Sequence, residues 1–314
     1  PRRRTLRVGY FPNITHAQAL LGLADETFAR AQGPQVEIQP FAFSAGPAAV
    51  EAVFGGSVDL TYVGPNPAIN AHLRSKGGAV RIIAGGASGG AALVVHPGAA
   101  IVRPEDFRGK KIATPQYGNT QDVAARSWFR GQGLLPDRDI DGIPMKGADQ
   151  LSLFRRGDLQ GAWTVEPWVS RIVAEAGGRV FLDERSLWPG GAFASTVILV
   201  NARFLRENPD LVKAWLRAHV EITRRIAARP EESRELLNRE LKRVGGKALA
   251  PAVLAEACSR ISFTWDPLVA TLEESARRAF EQGFLGGDKP DLSTLPDLRL
   301  LNEVLREAGL EPVK

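Results

Sequence analysis

The chain has 314 residues, a net charge of +5 at pH 7, 44% hydrophobic residues and a single cysteine, Cys258. Length and apolar content suit two lobes with cores of their own, and one cysteine excludes an internal disulfide or a Cys-based metal site. No apolar run reaches the roughly 18 residues of a membrane helix, and the basic residues are interleaved with acids, as in Glu231-Glu232-Ser233-Arg234-Glu235, which argues against nucleic acid as a partner.

The opening Pro1-Arg2-Arg3-Arg4 has neither Met nor an apolar core and reads as a trimmed N-terminus. From residue 6 onward, strand, turn and helix alternate. Residues 6–10 read as a short strand, and 15–31 as a helix with Ala19, Leu20, Leu23, Ala24 and Phe28 on one face. Strands follow at 36–43, 59–63 and 80–84, and helices at 47–54 and 67–75, each helix stopped by a glycine pair. Gly85-Gly86-Ala87-Ser88-Gly89-Gly90 interrupts the pattern as a loop or hinge, since such residues absorb backbone rotation. The alternation restarts with strands at 92–95, 111–113, 140–145, 161–165 and 179–181, and helices at 120–130, 149–156 and 167–176. A second glycine spot, Pro189-Gly190-Gly191, leads into a strand at 196–200. Helix 209–228 has an apolar face with Trp215 and His219 and a basic face with Lys213, Arg217 and Arg224. Shorter helices, broken by the loop Gly286-Gly287-Asp288-Lys289-Pro290, complete the chain. Two β/α halves with crossovers near 88–92 and 192–196 predict an α/β fold of two doubly wound, mostly parallel lobes joined by a two-strand hinge. Lobe 1 is expected from 1–91 and 195–314, and lobe 2 from 92–194.

Ligands of open α/β sheets bind beyond the carboxyl ends of the strands. The segments in that place are Phe11-Pro12-Asn13-Ile14-Thr15-His16, Ser44-Ala45-Gly46-Pro47, Gly64-Pro65-Asn66-Pro67 and Thr114-Pro115-Gln116-Tyr117-Gly118-Asn119-Thr120-Gln121. Each sets Ser, Thr or Asn beside Gly or Pro at a helix start, where free N–H groups and the positive dipole end favour an anion. Any one of these residues has an ordinary capping role; the functional reading rests on several sharing one edge. Asn13, His16, Ser44, Gly46, Asn66, Ser88, Gln116, Asn119, Thr120 and Gln121 are therefore the candidate ligand-binding residues. In Trp163-Thr164-Val165-Glu166-Pro167-Trp168, Trp163 reads either as core or as an apolar ligand wall, and Glu166 either as a helix-dipole partner or as a polar ligand contact. Trp163 and Glu166 complete the candidate set. Lys146, after a strand of lobe 2, reads either as a residue that reaches the ligand or as a solvated surface lysine, and the surface reading is preferred.

Catalytic motifs are missing: no G-x-S-x-G, P-loop, H-E-x-x-H or G-x-G-x-x-G opens a helix after a strand. His72 and His96, like His16 and His219, lack ligand spacing, so neither a metal nor a cofactor is expected. His219 reads as core, and Cys258 as a buried, inert thiol.

The segments Arg7-Val8-Gly9-Tyr10-Phe11-Pro12-Asn13-Ile14-Thr15-His16-Ala17, Ser44-Ala45-Gly46-Pro47 and Tyr62-Val63-Gly64-Pro65-Asn66-Pro67 resemble periplasmic solute-binding proteins of ABC importers, of the nitrate/sulfonate/taurine-binding type. Ile112-Ala113-Thr114-Pro115-Gln116 with Gly118-Asn119-Thr120-Gln121-Asp122-Val123 is similar to that family's second-lobe anion loop, and Trp163 to Trp168 to its Glu-Pro-Trp segment. Gln160 stands where the family commonly has an acidic residue of structural use. The resemblance implies a type II periplasmic binding-protein fold and location in the periplasm or, as a lipoprotein, on the outer face of the membrane. It also implies a permease partner, a monomer, and capture of a small anion such as a sulfonate or nitrate without catalysis. The alternatives are a binding protein for a neutral or zwitterionic heterocycle such as a thiamine precursor, or an enzyme of that related group.

Overall fold

The computed structural model describes residues 3–287 and 289–314. Pro1 and Arg2 of the opening basic run, and Asp288 of the last glycine-rich loop, lie outside the described residues. The strands are β1 (Arg4–Tyr10), β2 (Val36–Ala42), β3 (Leu60–Val63), β4 (Val80–Gly89), β5 (Ala91–Val95), β6 (Lys111–Thr114), β7 (Asp141–Pro144), β8 (Gly161–Val165), β9 (Arg179–Asp183), β10 (Ala194–Asn201) and β11 (Ile261–Phe263). They form two sheets, a six-stranded one in the order β11-β4-β10-β3-β1-β2 and a five-stranded one in the order β7-β6-β8-β5-β9. The chain passes from the first sheet to the second after β4, returns with β10, and adds β11 from its C-terminal part.

Each sheet carries helices on both faces, as its two-sided burial requires. On one face of the first sheet Leu6, Val8, Leu60 and Ile198 pack with Leu20, Trp215 and Leu216; on the other Val63, Ile82 and Leu199 pack with Val50, Ile69 and Leu272. In the second sheet Leu93, Ile112 and Trp163 meet Phe107 and Phe129, while Val94, Ala113 and Ala162 meet Phe154, Val169 and Ile172. The amphipathic helix Pro209–Ala228 closes the first core, where Trp215 stacks on Phe28 with ring centroids 3.5 Å apart. His219 of the same helix is fully buried. Its Nε2 donates to the Gly85 carbonyl at 2.8 Å, and its Nδ1 accepts from the Tyr62 hydroxyl at 3.0 Å. Burial pushes its pKa down to about 4, so the neutral ring is a structural bridge. Among the described residues no helix is long and apolar enough to cross a membrane.

Parallel pairing joins β1 to β2 and β3, and β6 to β7 and β8. The strands that run against their neighbours are β5, β10 and β11. Direction of entry explains these exceptions to a mostly parallel sheet. The chain leaves the first sheet at the carboxyl end of β4, so it enters the second from the facing edge and β5 must run away from that edge. The return through β10 obeys the same geometry.

Two local expectations change. The expected helix at 15–31 is a 3₁₀ turn Ile14–His16 followed by helices Ala17–Ala24 and Thr27–Gln32. Glu26 takes a left-handed φ of 61°, and the Asp25 carboxylate accepts from both the amide and the hydroxyl of Thr27, which restarts the helix. The glycine run at 85–89 is strand, not loop. The Gly85 amide donates to the Trp265 carbonyl at 2.7 Å, and a Cβ on Gly85 would collide with the Asp266 backbone. The turn itself is confined to Gly89 and Gly90, with φ of +80° and +76°. The Gly90 amide donates to the Arg260 carbonyl, and the Glu166 amide to the Gly90 carbonyl, both at 2.9 Å.

Candidate ligand-binding site

The facing carboxyl edges of the two sheets enclose a cavity of about 70 Å³. Five helices begin at its wall: Gly46–Phe54 and Pro65–Arg74 from the first lobe, and Thr120–Gly131, Gly147–Arg156 and Trp168–Ala176 from the second. Helix starts leave N–H groups without intrahelical partners; here Pro47, Pro65 and Pro67 carry no N–H, and the amides of Asn66, Asp122 and Ser170 donate to Thr120, Asn119 and Glu166. The lobes touch at this wall: the Asn66 amide, in the first turn of one helix, reaches the Thr120 hydroxyl at the start of another at 3.4 Å. Tyr117 packs edge-on against Phe284 at 5.0 Å between ring centroids.

Among the described residues no carboxylate lines the cavity, and Lys146 is its only side chain with a formal charge. The remaining polar groups are neutral: Asn13, Thr15, His16, Ser44, Asn119, Thr120, Gln121, Thr164 and Ser195. Several are pre-set as donors. The Asn13 side-chain oxygen Oδ1 accepts from the Thr15 hydroxyl at 2.8 Å, which leaves the side-chain nitrogen free to donate. His16 Nδ1 accepts the Phe11 amide at 3.1 Å, so its proton sits on Nε2, and burial pushes its pKa down to about 3. Its ring stacks on Phe11 at 4.3 Å. Asn119 caps helix Thr120–Gly131 by accepting the Asp122 amide at 2.9 Å, while its own amide donates to the Gln121 oxygen at 3.2 Å. Thr164 is fully buried, and its hydroxyl has no partner in the protein.

Of the residues singled out in the sequence, Asn13, His16, Ser44, Gly46, Asn119, Thr120 and Gln121 meet at this cavity. The others lie elsewhere. Trp163 is fully buried in the second lobe's core, where its indole N–H donates to Glu184 at 2.8 Å. Side chains alternate along β8, so Trp163 turns inward and its neighbour Thr164 reaches the cavity. Glu166 is also fully buried, accepts from the amide and hydroxyl of Ser170 at 3.0 and 2.9 Å, and lies 3.3 Å from the Arg260 guanidinium. Burial pushes its carboxyl up to about 7; it braces the hinge behind the cavity. Asn66 lends only its backbone to the lobe contact, since its side chain donates to the Ser275 carbonyl at 3.3 Å. Ser88 accepts the Phe193 amide at 3.1 Å and ties the two crossover strands together. The Gln116 backbone carbonyl accepts the Asn119 amide in a turn, and Gln116 does not line the cavity. Gln160 caps an edge by accepting the Lys111 amide at 3.0 Å.

Phe11, Thr15, Lys146, Gly147, Thr164, Trp168 and Ser195 line the cavity without having been singled out as ligand residues. For Lys146 the signal was its place two residues after strand β7 and at the N-cap of a helix. Cys258 is half-buried away from this cavity, and burial pushes its thiol up to about 11.

Comparison with known proteins agrees with this architecture. The taurine-binding periplasmic protein of Escherichia coli (strain K12) is 27% identical over 213 residues, covering 68% of this chain and 64% of that protein. The chain thus spans less than two thirds of that relative's length. The alkanesulfonate-binding protein SsuA from Xanthomonas axonopodis pv. citri, bound to MOPS, superposes with a TM-score of 0.75 at 21% identity over 94% of this chain and 98% of that one. The periplasmic nitrate-binding protein NrtA from Synechocystis PCC 6803 gives a TM-score of 0.77 at 14% identity over 98% and 89%. These likenesses establish a two-lobed type II periplasmic binding-protein fold. The model of the NMT1-like family matches residues 1–239, and the chain belongs to that family.

Proposed function

We propose that the chain is the solute-binding component of an ABC importer, capturing a small oxyanion such as a sulfonate or nitrate between its lobes and delivering it to a permease. One observation carries the reading: five helix N-termini and a set of neutral donors meet at a cavity that no carboxylate lines among the described residues. Each helix start contributes roughly 0.3–1 kcal/mol to an anion, and up to about 2 where solvent is excluded. The Thr164 hydroxyl supports the reading by its place, because it lines this cavity and has no partner in the protein. Asn13, His16, Ser44, Gly46, Asn119, Thr120 and Gln121 form the grip, with Lys146 and Thr164 added. Its name places the taurine-binding relative in the periplasm, which supports the same location here. The lobes divide at 1–91 with 195–314 and at 92–194, and the protein acts as a monomer without catalysis. Binding needs only closure about Gly89–Gly90, and His16, the one histidine at the cavity, is held neutral by burial.

Isothermal titration calorimetry with ethanesulfonate, nitrate and sulfate tests this reading. Saturable binding of at least one of them is expected. Binding of a neutral thiamine-type heterocycle with none of the anions overturns it.

A further inference from the structure

We infer that the cleft takes an oxyanion whose short tail carries no ammonium group, so that it discriminates against zwitterions such as aminosulfonates and amino acids. This rests on the anion reading above and narrows it. A bound ammonium must leave water, and that is strongly unfavourable unless a counter-charge replaces the hydration. The cavity wall supplies none. Of the carboxylates close to it in the chain, Asp149 is exposed and does not line the wall, and Asp122 and Glu166 are engaged elsewhere. Asp122 accepts from the Thr114 hydroxyl and the Gly118 amide at 3.0 and 2.9 Å and pairs with Arg126 at 3.0 Å. Glu166 is held by Ser170 and Arg260 behind the wall.

Aromatic rings are the other common acceptors of a cation. Trp168 already carries the Arg171 guanidinium 4.8 Å from its ring centroid, so a second cation there meets a like charge. Phe11 is stacked on His16. Lys146, at the N-cap of helix Gly147–Arg156, adds a positive charge on the second-lobe side of the cavity. The Thr164 hydroxyl can accept one hydrogen bond, but a neutral hydroxyl does not balance a full charge.

Ethanesulfonate and taurine differ only by the ammonium group, and calorimetric titration of both at pH 7 reads the difference directly. Taurine is expected to bind at least about 10-fold more weakly, as an uncompensated buried charge costs more than one decade of affinity. Lys146→Glu should move the ratio toward taurine, since it exchanges the like charge for a counter-charge. Taurine binding as tightly as ethanesulfonate, or a ratio that Lys146→Glu leaves unchanged, overturns the inference while the anion reading stands. Binding of neither sulfonate, with a neutral heterocycle binding, overturns both.

Discussion

Thr164→Val separates a ligand contact from a structural hydroxyl, because the two roles move stability and affinity in different directions. The hydroxyl is fully buried at the cavity and has no hydrogen-bond partner. Leaving such a group unsatisfied costs about 1–3 kcal/mol in the ligand-free protein, and a methyl of nearly the same shape removes that cost. The melting temperature of the ligand-free variant should therefore hold or rise by about 0–3 °C, given the few degrees per kcal/mol expected for large domains. Affinity should fall. A hydrogen bond to a charged ligand contributes about 1.5–3 kcal/mol, so the dissociation constant of ethanesulfonate should increase about 10- to 150-fold. Thr196 is the matching control: its hydroxyl is equally buried and unpartnered, but it does not line the cavity. Thr196→Val should repeat the stability effect and leave affinity alone. Calorimetry and ligand-free thermal melts on both variants decide the matter. A lower melting temperature with unchanged affinity in Thr164→Val would refute the argument, because it would mean that the hydroxyl serves the fold.

The hinge and the buried acids give two further tests. Burial pushes the Glu184 carboxyl up to about 7, against the partial relief of the Trp163 indole N–H. A raised folded-state pKa means that this group's contribution is intact below about pH 4.5 and is lost as pH rises through about 7. Between pH 5 and pH 8, denaturant titrations should show wild type losing up to about 3 kcal/mol relative to Glu184→Gln; parallel curves would place the carboxyl near its ordinary value. Gly89→Ala puts a Cβ at a φ of +80° and 2.5 Å from the Arg260 carbonyl. The left-handed backbone alone costs an L-residue about 1–2 kcal/mol, so ligand affinity should weaken about 5- to 30-fold, and titration with wild-type affinity would exclude Gly89 as a closure pivot.

Much of the fold can be read from local sequence, because the determining forces are local. The face of Leu211, Val212, Trp215, Leu216 and Ile222 sets helix Pro209–Ala228, and glycine pairs stop the helices that end near Phe54 and Arg74. What stays hidden depends on distant partners. Gly85 reads as part of a loop, yet it lies in a strand because the Trp265–Asp266 backbone, far along the chain, needs the space of its missing Cβ. Trp163 and Thr164 are a question of parity: one residue decides which side chain meets the core and which meets the cavity. Pattern alone fails there because both residues are buried. Glu166 could be placed only once Arg260 was seen across the hinge, some 90 residues away in sequence. Lys146 follows a strand as a surface lysine would, and becomes part of a site only because the first lobe faces it.

The anion preference proposed above has a basis in topology before any particular side chain is considered. A βα unit puts the N-terminus of its helix at the carboxyl edge of its sheet. When two such lobes are joined by strands that leave one edge and enter the other, every such N-terminus belongs to the shared cleft. Here β5 and β10 run against their neighbours for that reason, and five helix starts surround one small cavity. Such a frame supplies a positive field and N–H donors to whatever lies between the lobes, so it cannot by itself tell one oxyanion from another. Discrimination must come from the few side chains added to it. In this chain those are the pre-set donors Asn13, His16 and Gln121, the unpartnered Thr164, and Lys146, the only charged side chain among the described lining residues. A relative with the same frame and a carboxylate at one of these positions would accept an ammonium-bearing ligand. Introducing that carboxylate at Lys146 should therefore change which sulfonate is preferred while leaving the anion head's contacts with the helix starts in place.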